Sequence, residues 1–354
     1  MTIWRELTRR RWPLLVIVAL LALLPTFGSQ YFVEFVMTRA LILGLCASTL
    51  IFLSSCGGMV SLAQLLMYGV AGFTIGNCVA EQGSKGLKLG LDPWVAVLAA
   101  LVITTVVALV LGALSSRTFG IYFLMLTLTY AVIGYYVFGQ VANISGFGGI
   151  TGIDPPGLLD GPLRLYYLAL ALSVVAFAAF TAVRRTPFGV ALEGVRDDPV
   201  RMASLGFNVP LHRTLAFALA GLVAATAGIA NVWWNGQIDP NTVSIGSTID
   251  VLVIAVIGGI GRLEGAWLGA VVFVAANNYL RDLPLIDSIG LTEARFNTVV
   301  GLLVLAIVVL SPDGLMGLLV RAQRAVREGS RLRSTGNRDR GGPDPADALS
   351  ANPS

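Results

Sequence analysis

Charge is what this chain lacks. Of its 354 residues only 12% are Asp, Glu, Lys or Arg, while 56% are hydrophobic. A soluble domain carries roughly 25% charged residues, so most of this chain must face lipid or other buried helices. Histidine is nearly missing too. His212 is the single one, and one imidazole does not build a zinc site of the usual kind. The three cysteines, Cys46, Cys56 and Cys78, lie in or beside apolar stretches without metal-ligand spacing and read as small buried residues. No glycine-rich phosphate loop ending in Lys-Ser or Lys-Thr occurs, so the chain itself is expected to hydrolyse no nucleotide and to hold no cofactor. The net charge of +4 reflects topology and makes no case for nucleic acid.

What is present is a series of apolar stretches near 12–27, 32–53, 59–80, 93–114, 119–141, 163–183, 214–234, 246–260, 266–280 and 296–311. A spanning helix needs about 20 apolar residues. The pattern therefore predicts an all-α membrane protein, a polytopic bundle of about ten transmembrane helices. The first, eighth, ninth and tenth stretches are short and are candidates for tilted, broken or re-entrant segments. Lys and Arg collect on the cytoplasmic side of short loops. Here the basic residues fall before Trp12 (Arg5, Arg9, Arg10, Arg11), at Arg117, in the loop 184–213, at Arg262 and in the tail from Arg321 to Arg340. The opposite loops hold only Lys85, Lys88, Arg164, Arg281 and Arg295. The asymmetry places both termini in the cytoplasm. No small-residue cleavage site follows Leu24-Pro25, so the first stretch reads as a retained helix rather than a signal peptide. A transmembrane domain over 1–320 is expected, followed by a basic tail, 321–354, too poor in apolar residues to fold alone.

One loop breaks the apolar series, Arg184 to Arg213. Thr186-Pro187 is a helix start, a capping residue with proline at the first helical position. Phe188, Ala191, Leu192 and Val195 then fall on one helical face. Asp198-Pro199 repeats the start signal, and Gly206 supplies a stop after Leu205. Helices shorter than about 12 residues are marginal alone in water. The second short helix must therefore dock, either on its own membrane domain or in a groove of a cytoplasmic partner. The loop 142–162, with six glycines and three prolines, cannot be a regular helix. It is either a plain connector or a shaped lip facing a ligand carrier. Glycine clusters at predicted helix ends, Gly57 and Gly58, then Gly258, Gly259, Gly261 and Gly265 followed by Gly269, permit tight turns and close helix crossings.

Ionisable residues inside the stretches are few: Glu34, Arg39 and Asp250. A charge at the bilayer centre costs about 2.5–3.5 kcal/mol on insertion scales, and all three lie near predicted ends, where snorkelling is the cheaper arrangement. Their scarcity counts against an ion-coupled secondary transporter. The lack of a nucleophile–base pair or metal cluster counts against a membrane-embedded enzyme. Neutral polar residues, Gln64, Tyr68, Asn77, Thr127 and Thr129, are the candidates for a pathway suited to a small, partly apolar solute.

Residues 35–320 resemble the LivM type of permease subunit from branched-chain amino acid ABC importers. Gly58-Met-Val-Ser-Leu-Ala-Gln64 is similar to the family's G-x-x-S-L-G-Q stretch, with Ala63 in place of the usual glycine. Ala71-Gly72-Phe73 departs from the family's G-A-Y. Gly120 to Leu128, Thr151-Gly152-Ile153, Thr186 to Asn208, Ala216-Phe217, Gly221, Gly258 to Gly265, Gly269-Ala270 and Ser311 to Leu315 follow in the family's order and spacing. The resemblance implies a type II-like ABC importer permease in the inner membrane. It also implies a LivH-like second permease, two cytoplasmic ATPase subunits that bind ATP and magnesium, and a periplasmic substrate-binding protein. It makes the segment holding Glu193, Gly194, Arg196, Asp198, Pro199, Ala203, Leu205 and Gly206 the coupling element to the ATPases. Related systems carry urea, amides and other small organic solutes, which stay open as cargoes beside branched-chain amino acids.

Overall fold

A computed structural model describes residues 18–25, 31–79, 89–141, 144–159, 161–279, 301 and 314–317. The helices are α1 (Phe32–Gly57), α2 (Gln64–Val79), α3 (Pro93–Ser115), α4 (Gly120–Gln140), α5 (Pro162–Arg185), α6 (Pro187–Asp197), α7 (Pro199–Ser204), α8 (Val209–Asn235), α9 (Ile245–Gly258) and α10 (Gly265–Tyr279). Eight of the expected spans fall on them. The first is described at 18–25, which is helical, and the tenth only at 301. The tail 321–354 lies outside the described residues.

Among the described residues five helices, α1, α3, α4, α5 and α8, are long and apolar enough to cross a membrane. α9 and α10, of 14 and 15 residues, reach only about 21 Å and 22 Å at 1.5 Å per residue, short of a hydrocarbon core of about 30 Å. They form a hairpin. A side chain at Gly258 or Gly265 would run into the backbone of the other, and one at Gly269 into the Ile254 carbonyl. Gly57 packs against Met59 and Leu192, Gly259 takes φ +106°, and Gly261 faces open space.

α1 and α8 form the middle of the bundle. The span of α1 is 89% buried and that of α8 67%, against 28% to 33% for α3, α4 and α5. The three outer helices carry their apolar residues outward, as Leu98, Val102, Val106, Ile121, Met125 and Val175 show. That arrangement suits lipid, where no water drives apolar groups inward. Inside, Phe52 stacks on Phe180 at 4.4 Å and Phe73 on Phe138 at 4.1 Å, and Tyr166 is fully buried.

Two local findings differ from a plain reading of the stretches. The third stretch begins its helix at Gln64, not near 59. Gly58 adopts φ +62° and closes α1, and Thr127 of α4 accepts the Leu62 amide at 3.1 Å, so residues 58–63 form an irregular connection rather than helix. The glycine-rich loop after α4 is also pinned. β1 (Ile150–Thr151) pairs antiparallel with β2 (Gln237–Ile238), which follows α8. The Ile153 amide adds a bond to the Gly236 carbonyl at 3.1 Å. This ties the loop to the end of the longest helix.

Candidate functional site: a helical foot on the bundle

At the end of the bundle where α5 stops, the chain builds a foot from α6 and α7. Thr186 ends one helix and starts the next: its hydroxyl donates to the Val183 carbonyl at 2.6 Å and accepts the Gly189 amide at 3.3 Å. Gly189 sits so close to the Val183–Arg184 backbone that a side chain there would collide with it. Proline at the first position of α6 and the apolar face expected from the sequence do the rest. Ala191, Leu192 and Val195 are buried, and Phe188 stacks on His212 with ring centroids 5.6 Å apart.

Arg196 clamps this helix to the bundle. Its Nη1 donates to the Ser55 carbonyl at 2.5 Å, while Nε and Nη2 grip Asp197 at 2.9 and 2.8 Å. The stem of Arg196 lies over Gly58. The last carbonyls of a helix lack intrahelical partners and carry partial negative charge, so a guanidinium is well matched to the end of α1. Glu193 forms a second pair with Arg184 at 3.6 Å. Replacing Arg196 with Ala should lower ATP-driven uptake by about tenfold, since one charge-assisted hydrogen bond and the pair with Asp197 are lost together. Transport assays on membranes with equal amounts of protein check this. Arg196→Lys, which keeps the charge but not the fork, should fall between the two.

α7 is different in kind. The Asp198 carboxylate caps it, accepting the amides of Val200 at 3.1 Å and Arg201 at 2.9 Å. Pro199 opens it and Gly206, at φ +89°, follows it. No residue of α7 is buried. Met202 leans on Gly194, but Val200 is 75% exposed, Leu205 66% and Phe207 42%, and Ala203 is exposed as well. α6 packs on its own bundle; for α7, whose docking the sequence left open, the structure shows no buried residue against that bundle. α7 stands outside it and presents apolar residues to its surroundings.

The polar residues nominated for a pathway are spread out. Gln64, Tyr68 and Asn77 are buried on α2. Neither amide atom of Gln64 has a hydrogen-bond partner among the described residues, and the Asn77 amide donates to the Phe73 carbonyl at 2.7 Å. Thr127 is buried at the turn before α2, whereas Thr129 faces outward from α4 with its hydroxyl on the Met125 carbonyl at 3.0 Å.

A residue that sequence reasoning passed over is Arg213, counted there only as a loop charge. It is buried four residues into α8, its Nη1 donates to the Ser116 carbonyl at 2.7 Å, and its guanidinium lies 4.2 Å from the Phe119 ring centre and 5.2 Å from that of Phe123. It ties α8 to the α3–α4 connection. The available signal was an arginine inside the first turns of an apolar helix, where a charge needs partners. Arg213→Lys keeps the charge and cannot make the same planar contacts. It should destabilise the protein by about 2 kcal/mol, read as a lowered thermal midpoint in detergent.

Comparison with known proteins follows the same outline. The chain is 28% identical over 188 residues to the high-affinity branched-chain amino acid transport system permease protein LivM of Escherichia coli, covering 53% of this chain and 41% of that one. It is 23% identical over 302 residues to the probable LivM of Methanocaldococcus jannaschii, covering 77% and 84%. It is 32% identical over 182 residues to the autoinducer 2 import system permease protein LsrC of Klebsiella pneumoniae, covering 49% and 48%. The matched stretch thus spans less than half the length of the first and third of these relatives. No solved structure matches it. Residues 32–310 match the family model described as branched-chain amino acid transport system / permease component, and the chain belongs to that family.

Proposed function

We propose that this chain is the non-catalytic membrane subunit of an ABC importer and forms half of a pathway for branched-chain, or other small and partly apolar, amino acids. The family and its five long apolar helices make it a multi-pass membrane protein. Our reading adds a LivH-like second permease, two ATPase subunits on the cytoplasmic side and a substrate-binding protein on the other. Both termini and the foot lie in the cytoplasm in this reading, following the basic loops. The observation that carries it is α7. A six-residue helix with no buried residue needs an outside surface to hold it, and it stands on α6, which Arg196 fastens to α1. A push on α7 therefore reaches the central helix through a short rigid path. Conversely, the β1–β2 pair gives the opposite loops a fixed shape for a carrier to meet.

The test is contact. A cysteine at Ala203, in an otherwise intact transporter, should cross-link to an ATPase subunit in a nucleotide-dependent way. A chain that never yields this product, or that moves solute alone without nucleotide, would remove the proposal. Identifying the ligand of the partner binding protein settles the cargo among amino acids, urea, amides and other small organic solutes.

A further inference from the structure

Two opposite charges sit on the surface of the bundle where charge is otherwise rare. Past its first residues α1 is almost wholly covered. Tyr31, Phe35 and Arg39 are exposed, at four-residue steps and so in one line along the helix, and no later residue of α1 is exposed. α9 lies beside α1 and exposes Ile245, Gly246, Ile249 and Asp250. Arg39 is close enough to Asp250, and to Tyr68 of α2, for its charge to act on both. Yet the two are not joined. The salt bridges among the described residues are Arg184–Glu193 and Arg196–Asp197, and neither Arg39 nor Asp250 makes a hydrogen bond there through its side chain.

Snorkelling suits the two residues unequally. Arg39 follows Tyr31 by eight residues, through the π-helical turn Phe32–Met37, and its long stem can climb along the helix. Asp250 has a single methylene and lies about 8 Å into α9 from Ile245. Its reach is far shorter than that of Arg39. A lone cation or anion passing this face would be attracted by one residue and repelled by the other. A neutral solute would gain little from two full charges. A zwitterion meets both at once: a carboxylate matches the guanidinium fork, and an ammonium matches an aspartate. The frame around the charges, Phe35, Ile245 and Ile249, is apolar, as a hydrocarbon side chain requires.

We propose that Arg39 and Asp250 form a transit site for a zwitterionic α-amino acid with an apolar side chain. Arg39 takes the α-carboxylate and Asp250 the α-ammonium, on the face of this chain that meets the second permease. The proposal rests on the reading above in which solute crosses between two permeases.

The experiment uses the whole transporter in proteoliposomes, with saturating binding protein and radiolabelled leucine. Arg39→Gln and Asp250→Asn should each lower leucine uptake by about tenfold, the equivalent of one charge-assisted contact. The sister permease should still co-purify, and loaded binding protein should still trigger ATP hydrolysis, now without solute movement. Arg39→Lys, which keeps the charge, should recover part of the uptake. Loss of the sister permease from the variants would make the pair a protein–protein contact and overturn the proposal. Normal uptake in both variants would overturn it as well. A wild-type transporter that moves no amino acid removes the functional reading itself, and this site with it; failure in the variants alone removes only the site.

Discussion

Ala203→Pro should reduce ATP-driven uptake to background while the protein stays in the membrane at the wild-type level. Ala203 is exposed, so the substitution disturbs no packing, and its effect comes through the backbone. Proline in a helix past the first turn removes one hydrogen bond and clashes with the preceding turn, at about 3 kcal/mol. α7 has six residues and no buried side chain, so little tertiary packing offsets that cost and the helix should melt. The measurement is uptake by right-side-out vesicles beside a blot for inserted protein. Proline at 200 or 201, within the first turn, should be milder, because it removes only an amide bond to the Asp198 cap and no bond of the helix ladder. Wild-type uptake by a stably inserted Ala203→Pro protein would end the assignment of α7 as the element that receives force.

The second large effect is expected at Gly258. Gly258→Val should leave no stably folded protein. The two backbones of the α9–α10 hairpin meet at Gly258 and Gly265, and Gly314 also approaches the same point. The first atom of any side chain there would lie against main-chain atoms, which cannot rotate away as a flexible side chain can. Overpacking against side chains typically costs 1–3 kcal/mol, and a backbone obstruction should exceed about 3 kcal/mol. Yield after detergent extraction and size-exclusion profile report the outcome. Gly261→Ala is the natural comparison, since nothing lies within 4 Å of its would-be side chain, and it should behave as wild type. Equal yields from the two variants would show that the hairpin opens to accept a side chain.

These two positions also mark how far the amino-acid order could be read by itself. The foot was legible because its signals are local. Thr186-Pro187 and Asp198-Pro199 act through bonds to residues two or three positions ahead, and the face of Ala191, Leu192 and Val195 follows from the helical period alone. The apolar stretches were legible for the same reason, as spans are set by length and composition. The glycine clusters were visible as clusters, but which glycines carry the load was not. Gly258 and Gly261 look alike in a string, and only one has a backbone against it.

Tertiary structure decided everything that depends on residues far apart in the chain. Arg196 meets the carbonyl of Ser55 across 141 positions, Arg213 that of Ser116 across 97, and Thr127 the amide of Leu62 across 65. No periodicity encodes such meetings, because each is the product of how whole helices pack. The same holds for Arg39 and Asp250. Taken singly, each is a charge near the end of a stretch, best explained by the membrane surface. Set on adjacent helices, facing outward and held apart, they become a pair with a chemistry of its own. Local order settled which segments are helices and where they start. Packing settled which of them touch, which residue of the foot stays uncovered, and where opposite charges share one face.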